Sequence, residues 1–290
     1  MSADTHTIRS NGGLQPAAGP RQYQNAPVEE GLSNIPFFKP AIGDAEISAV
    51  TQVLRSGWLT TGPNCRSFEQ KFAELIHEDV EAVAVSSATA GLHLAAEACG
   101  IGPGDQVLVP TLTFTATAAV LRYLGADVIL VDIDEKTRTI DLDHAEQLVT
   151  PRCKAIMPVH FGGLACEMPE VLAFAKRHDL KIIDDAAHAL GATCQGQIIG
   201  SWNTAATVYS FYANKPITTG EGGMLVTRDP DIADRARKMR LHGLDRDSFD
   251  RFSKTSASWA YDVVAPGYKY NMTDVAAAIG LQQLARAEEL

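Results

Sequence analysis

The stretch AVAVSSATAGLHLAAEACGIGPGDQVLVPTLTFTATAAVLRYLGADVILV, residues 82–131, decides the fold class. Three short apolar runs, Ala82–Val85, Gln106–Val109 and Val128–Val131, are separated by segments with helical spacing, Ala88–Cys99 and Thr115–Leu124. Glycines and prolines mark the joints. Near-continuous apolar strands alternating with helices predict a mostly parallel sheet covered on both faces.

The same alternation extends in both directions. Upstream, Ile47, Val50, Val53 and Leu54 recur at helical spacing between Asp44, a candidate N-cap, and Gly57, a candidate stop. Phe68, Phe72 and Ile76 mark a second amphipathic helix. Downstream come apolar runs at Ala155–Val159, Lys181–Ile183, Ala206–Tyr209 and Met224–Val226, with helical segments at Pro169–Arg177 and Asp231–Arg240. Neither a repeat nor a linker interrupts Pro36 to Val226, which reads as one large α/β domain. Asp245–Pro266 is polar, dotted with aromatics and without period, and a final helix is expected from near Thr273 to Leu290. Residues 1–34 are rich in Gly, Pro, Gln, Asn and Ser and read as a disordered leader.

Composition narrows the function class. The 290 residues carry 25 Lys+Arg against 35 Asp+Glu, a net charge of −10, which argues against nucleic acid or an anionic membrane as the main partner. A local site can still bind an anionic small molecule. No apolar run approaches the ~18 residues that a membrane span needs. The opening MSADTHTIRS has no apolar core of a secretory signal. The odd, scattered set Cys65, Cys99, Cys153, Cys166 and Cys194 suggests free thiols in a reducing cytoplasm, not a metal site or a disulfide framework.

Ligands of open α/β sheets sit beyond the carboxyl ends of the strands, and three polar clusters fall there. Ser86-Ser87-Ala88-Thr89 opens a helix, where free N–H groups and a hydroxyl suit a phosphate, although Ser87 or Thr89 could equally serve as a plain N-cap. Asp184-Asp185 ends a strand, and a carboxylate facing inward there needs a cationic or N–H partner, such as a protonated ring nitrogen. Lys215 follows the strand ending near Tyr209; it reads as a surface lysine or as a desolvated amine able to form a Schiff base. The turn Gly220-Glu221-Gly222-Gly223 permits close backbone packing and favours the second reading. Gly100-Ile101-Gly102-Pro103-Gly104 is no dinucleotide fingerprint, because it follows a helix, precedes a strand and has the wrong spacing.

Six ordered segments, WLTTGP (58–63), VSSATAGLHLA (85–95), VPTLTFTAT (109–117), IIDDAAHALG (182–191), SFYANKPITTGEGGM (210–224) and PGYKYNMTD (266–274), resemble the DegT/DnrJ family of sugar aminotransferases, from about residue 35 to 290. Within the family the likeness is strongest to the branch that makes UDP-4-amino-4-deoxy-L-arabinose. The resemblance implies the aspartate-aminotransferase-like fold type I and pyridoxal 5'-phosphate (PLP) as cofactor. It implies that Lys215 carries PLP through its amine and then moves the proton during catalysis. Asp185 would partner the pyridinium nitrogen, with Asp184 in support. Ala88, Thr89 and Ser210 would cradle the phosphate. Phe114 would stack on the ring and His188 would lie near its 3-hydroxyl, although by themselves the two also read as a core aromatic and an interior histidine. Asn271, with Lys269 beside it, would reach the phosphate of a neighbouring chain across a homodimer interface. Lys39, Arg246 and Lys269 are candidate basic groups for a substrate pyrophosphate.

The implied reaction transfers an amino group from glutamate to a nucleotide-activated keto-sugar, for cell-surface glycan or lipid A modification. A sugar dehydratase on the same fold is the rival enzyme class, but such relatives replace the lysine with histidine, and Lys215 argues against it. An inactive regulatory protein is the non-enzymatic rival. The resemblance divides the chain into the leader 1–34, a cofactor-binding domain 35–264 and the start of a smaller domain at 265–290. Relatives continue for on the order of a hundred residues more. On this reading the chain is a fragment that exposes apolar surface on its last helix and is poorly stable alone.

Overall fold

A computed structural model describes residues 36–245 and 261–289. The leader 1–34 and Arg246 therefore lie outside the described residues, as does most of the polar excursion. Phe38–Leu290 forms one compact unit.

Seven strands make the main sheet: β1 (Glu81–Val85), β2 (Gln106–Pro110), β3 (Asp127–Val131), β4 (Cys153–Ile156), β5 (Lys181–Asp185), β8 (Ala206–Ser210) and β9 (Gly223–Thr227), in the order β1-β9-β8-β5-β4-β2-β3. A small hairpin of β6 (Thr193–Cys194) and β7 (Gln197–Ile198) stands apart. Of the seven, β9 alone opposes the rest, pairing antiparallel with β1 and β8. The other pairs are parallel.

Two-residue periodicity splits the core into two layers. Ala82, Ala84 and Leu108 pack with Phe68, Phe72 and Ile76 of α2 (Pro63–Ile76), and with Met168, Val171 and Phe174 of α6 (Met168–Arg177). Val83, Val85, Val107 and Val109 face the other way. They meet Leu92 and Leu94 of α3 (Ala88–Ala98), Val120 and Leu121 of α4 (Thr115–Tyr123), and Ile232 and Ala236 of α7 (Pro230–Met239). The first layer also takes Ala145 of α5 (Leu142–Leu148) and Ala277 of α8 (Asp274–Leu284). α8 packs on α2 and on α1 (Asp44–Ser56). The predicted sheet with helices on both faces is the one observed.

Local differences have physical reasons. Gly43, not Asp44, is the N-cap of α1; its N–H donates to the Glu46 carboxylate at 2.8 Å. Of the apolar residues that define this helix, Val53 is buried while Ile47 and Leu54 are exposed, because the inward face is polar. There Glu46 accepts from Gln283 (2.8 Å) and Arg286 (2.5 Å). The run Ala155–Val159 pairs only as far as Ile156: Pro158 has no N–H for the ladder, and Val159 forms an isolated bridge to Asp185. The last helix ends at Leu284 and continues as turns to Glu289 instead of running to residue 290.

Candidate active site

The carboxyl ends of β1, β5 and β8 open on a cavity of about 540 Å³. Its walls include Ala88, Thr89, Phe114, Asp185, His188, Ser210 and Lys215, so seven of the eight predicted site residues meet in one place. The topology explains the meeting. β8 and β5 are adjacent and parallel, which puts Ser210 and Asp185 at one edge, and β9 brings Gly223 beneath the start of α3.

At the N-terminus of α3, Ser87 caps the helix by accepting from the Ala90 N–H at 3.1 Å. The Gly91 N–H goes to the Ser87 carbonyl, which leaves the Ala88 and Thr89 amides without an acceptor among the described residues. Capping leaves room for an anion: the side chain satisfies one amide, and two others stay free at a helix N-terminus on the cavity wall, where the helix dipole favours negative charge. A Cβ on Gly223 would lie 2.6 Å from the Ala88 nitrogen, so the loop approaches this cradle as only glycine can.

Asp185 is buried, with two fixed partners. Its Oδ2 accepts from Thr117 Oγ1 at 2.7 Å and its Oδ1 from the Ala187 N–H at 3.1 Å. Asp184, its neighbour, points to the other side of the sheet; it accepts from Thr207 Oγ1 at 2.9 Å and lies 3.7 Å from His160 Nε2. The pair therefore divides its work: Asp185 faces the cavity and Asp184 the interior.

Lys215 is half-buried in the turn after β8, its N–H bonded to the Tyr212 carbonyl at 3.0 Å. Burial lowers its amine pKa below the ordinary lysine value, with the Asp185 charge opposing. His188 is also shifted down, by burial first and by the charge of Lys215 next, against the pull of Asp185. Phe114 is 74% exposed on the cavity wall, which leaves its ring free to stack on a flat ligand.

Asn271 lies apart from this cavity, in a cleft with Thr61 and Arg240. Its amide donates to Thr61 Oγ1 at 2.8 Å, and Lys269 Nζ donates to its Oδ1 at 2.6 Å. Asp274 ties the two motifs together, accepting from the Asn64 and Cys65 N–H groups at 3.1 Å each. Lys39 is exposed.

A functional position escaped the sequence reading. Thr117, 68 residues before Asp185 and fully buried, supplies the hydroxyl that holds its carboxylate. The signal was a threonine three residues past Phe114, on a helix face whose other buried members are Ala116, Val120 and Leu121.

The arrangement has close counterparts. The model of the DegT/DnrJ/EryC1/StrS aminotransferase family matches residues 40–290. The chain belongs to this family. It is 48% identical over 256 residues to the spore coat polysaccharide biosynthesis protein SpsC of Bacillus subtilis, covering 88% of this chain and 65% of that protein. It is 45% identical to the uncharacterized protein MJ1066 of Methanocaldococcus jannaschii, with 88% and 66% covered. The chain thus spans about two thirds of the length of the curated relatives it matches. Among solved structures, the PMP form of the putative sugar aminotransferase Spr1654 of Streptococcus pneumoniae superposes with a TM-score of 0.82 at 37% identity, covering 89% of this chain and 69% of that one. Family and neighbours share the PLP-dependent aminotransferase fold. Among the described residues, no helix is long and apolar enough to cross a membrane.

Proposed function

We propose that the chain is a PLP-dependent sugar aminotransferase. The observation that carries the reading is the convergence of a desolvated lysine amine, a buried and doubly bonded carboxylate, and the free amides of a helix N-terminus around one cavity. The Spr1654 structures in PLP and PMP forms support the same cofactor here. The donor set fits it: free amides for a phosphate, a carboxylate for a ring nitrogen, an exposed aromatic for a flat ring and a lysine for an aldehyde.

When bound, the cofactor supplies an electron sink for the bond broken at the substrate carbon. The chain's own groups do the rest. In this reading the Ala88 and Thr89 amides, with the Ser210 hydroxyl, hold the phosphate. Asp185, oriented by Thr117 and Ala187, would face the ring nitrogen and hold a proton there. Lys215 Nζ, which burial shifts toward the neutral amine, would hold the cofactor's aldehyde carbon with loss of water and, once released, would carry a proton to and from the substrate carbon. Phe114 covers one face of the ring.

The finer reading takes glutamate as donor and a keto-sugar nucleotide, a UDP-4-keto sugar first, as acceptor. The polysaccharide role of SpsC supports a surface glycan product. A homodimer with Asn271 reaching the second site, a cytoplasmic location, and a division into a cofactor-binding domain over 35–264 and a second one from 265 belong to the same proposal. The test is a panel of UDP-, dTDP- and GDP-keto-sugars with glutamate and PLP. Amination of a sugar nucleotide supports the reading; amination of free keto acids alone overturns the substrate class.

A further inference from the structure

One turn on the cavity's rim does a job that neither the reaction nor the phosphate cradle explains. His160-Phe161-Gly162-Gly163 folds back over His188, with φ of +63° at Gly162 and +89° at Gly163, a region that side chains rarely adopt. The turn puts the Gly162 N–H 3.2 Å from His188 Nδ1. It also brings Gly163 so close that a Cβ there would sit 3.2 Å from the His188 carbonyl oxygen. Phe161 packs edge-on against the imidazole, 5.9 Å between centroids.

A backbone N–H can only donate, so Nδ1 must be the bare nitrogen and the ring's proton sits on Nε2. Protonating both nitrogens would set two donors against each other, and the nearby Lys215 charge opposes it as well. Nε2 has no partner among the described residues, and His188 lines the cavity. We propose that the Gly162 amide locks His188 in its Nε2–H form, so that the ring offers the cavity a hydrogen-bond donor, matched to an oxygen anion on a bound ligand. Gly162 is the positioning residue, acting through His188. Taking that oxygen as the ring oxygen of PLP rests on the function proposed above; the lock itself does not.

The test separates the two. Nitrogen NMR of the full chain labelled with [15N]histidine, without cofactor and near neutral pH, reads the tautomer directly, with the His188→Gln spectrum identifying the signal. The lock predicts a bare-type shift at Nδ1 and a protonated-type shift at Nε2. The reverse pattern, averaged tautomers or two protonated nitrogens would overturn it.

Titration with PLP then tests the donor. Asn carries its oxygen near the Nδ1 position and can accept from Gly162, but it lacks a donor at Nε2. Gln carries an N–H near the Nε2 position. His188→Asn should therefore bind PLP about tenfold or more weakly than wild type, as expected for a lost hydrogen bond to a charged oxygen, and His188→Gln should recover part of that loss. Equal binding by His188→Asn and wild type would overturn the donor role. A wild-type chain that shows the predicted shifts and binds no PLP supports the lock and sinks the proposed function instead.

Discussion

Thr117→Val probes the support beneath the site without opening a cavity, because valine matches threonine in shape. The Thr117 side chain is fully buried and its hydroxyl donates to Asp185 Oδ2 at 2.7 Å. It also pairs with Thr113 Oγ1 at 2.6 Å. Hydrogen bonds to charged groups contribute about 1.5–3 kcal/mol, and the substitution strands a buried carboxylate oxygen, so the expected loss is about 2 kcal/mol. That is roughly a thirtyfold shift of the folding equilibrium at 1.4 kcal/mol per tenfold. Thr117→Ser keeps the hydroxyl and removes one methyl group, at a cost of about 0.8 kcal/mol. Urea unfolding of the cofactor-free chain reads both, as a lower midpoint at unchanged slope. A Thr117→Val midpoint within error of wild type, or a Thr117→Ser variant that loses as much, would refute the role assigned to this hydroxyl. The same variant should weaken PLP binding, since Asp185 would keep only the Ala187 amide to orient it.

Other perturbations test neighbouring pieces. Gly223→Ala forces a methyl to within 2.6 Å of the Ala88 nitrogen, so it should cost about 1–3 kcal/mol in unfolding and weaken phosphate binding in a pyridoxal phosphate titration; unchanged affinity contradicts the cradle. Ser87→Ala removes the N-cap of α3 and should lower stability by about 1 kcal/mol, which thermal melting would detect. Glu46 has a pH signature. Burial pushes its carboxyl up, but bonds from Gln283, the Gly43 amide and Arg286 outweigh this and lower it from the ordinary 4.5 to about 2. A folded-state value below the unfolded one stabilises the fold above pH 4.5, and that stabilisation is lost as pH falls toward 2. Glu46→Gln should flatten this acid limb in a series of melts; an unaltered limb would place the titration elsewhere.

The sequence made the sheet legible because both core layers follow simple periods: two along β1 and β2, and three to four along α2 through Phe68, Phe72 and Ile76. Lys215, Asp185 and the start of α3 were legible because chemistry in an α/β sheet gathers at strand ends. What stayed hidden depends on long-range pairing. Nothing local says that Thr117 will meet Asp185, that Asp274 will accept from amides of α2 some 210 residues away, or that Glu46 on α1 will be buried against Gln283. The cap of α1 was misread because a backbone N–H bonded by Glu46 serves as well as an aspartate side chain. Asn271 lies in a cleft of its own, and a residue expected to serve a neighbouring chain's site need not line its own chain's cavity.

The most direct test of the central claim asks which lysine carries the cofactor. Borohydride reduction of the PLP-treated chain, followed by peptide mass spectrometry, should find the phosphopyridoxyl group on Lys215 and nowhere else, and Lys215→Ala should carry none. Labelling of another lysine in preference to Lys215, or none in the wild-type chain, would contradict the account.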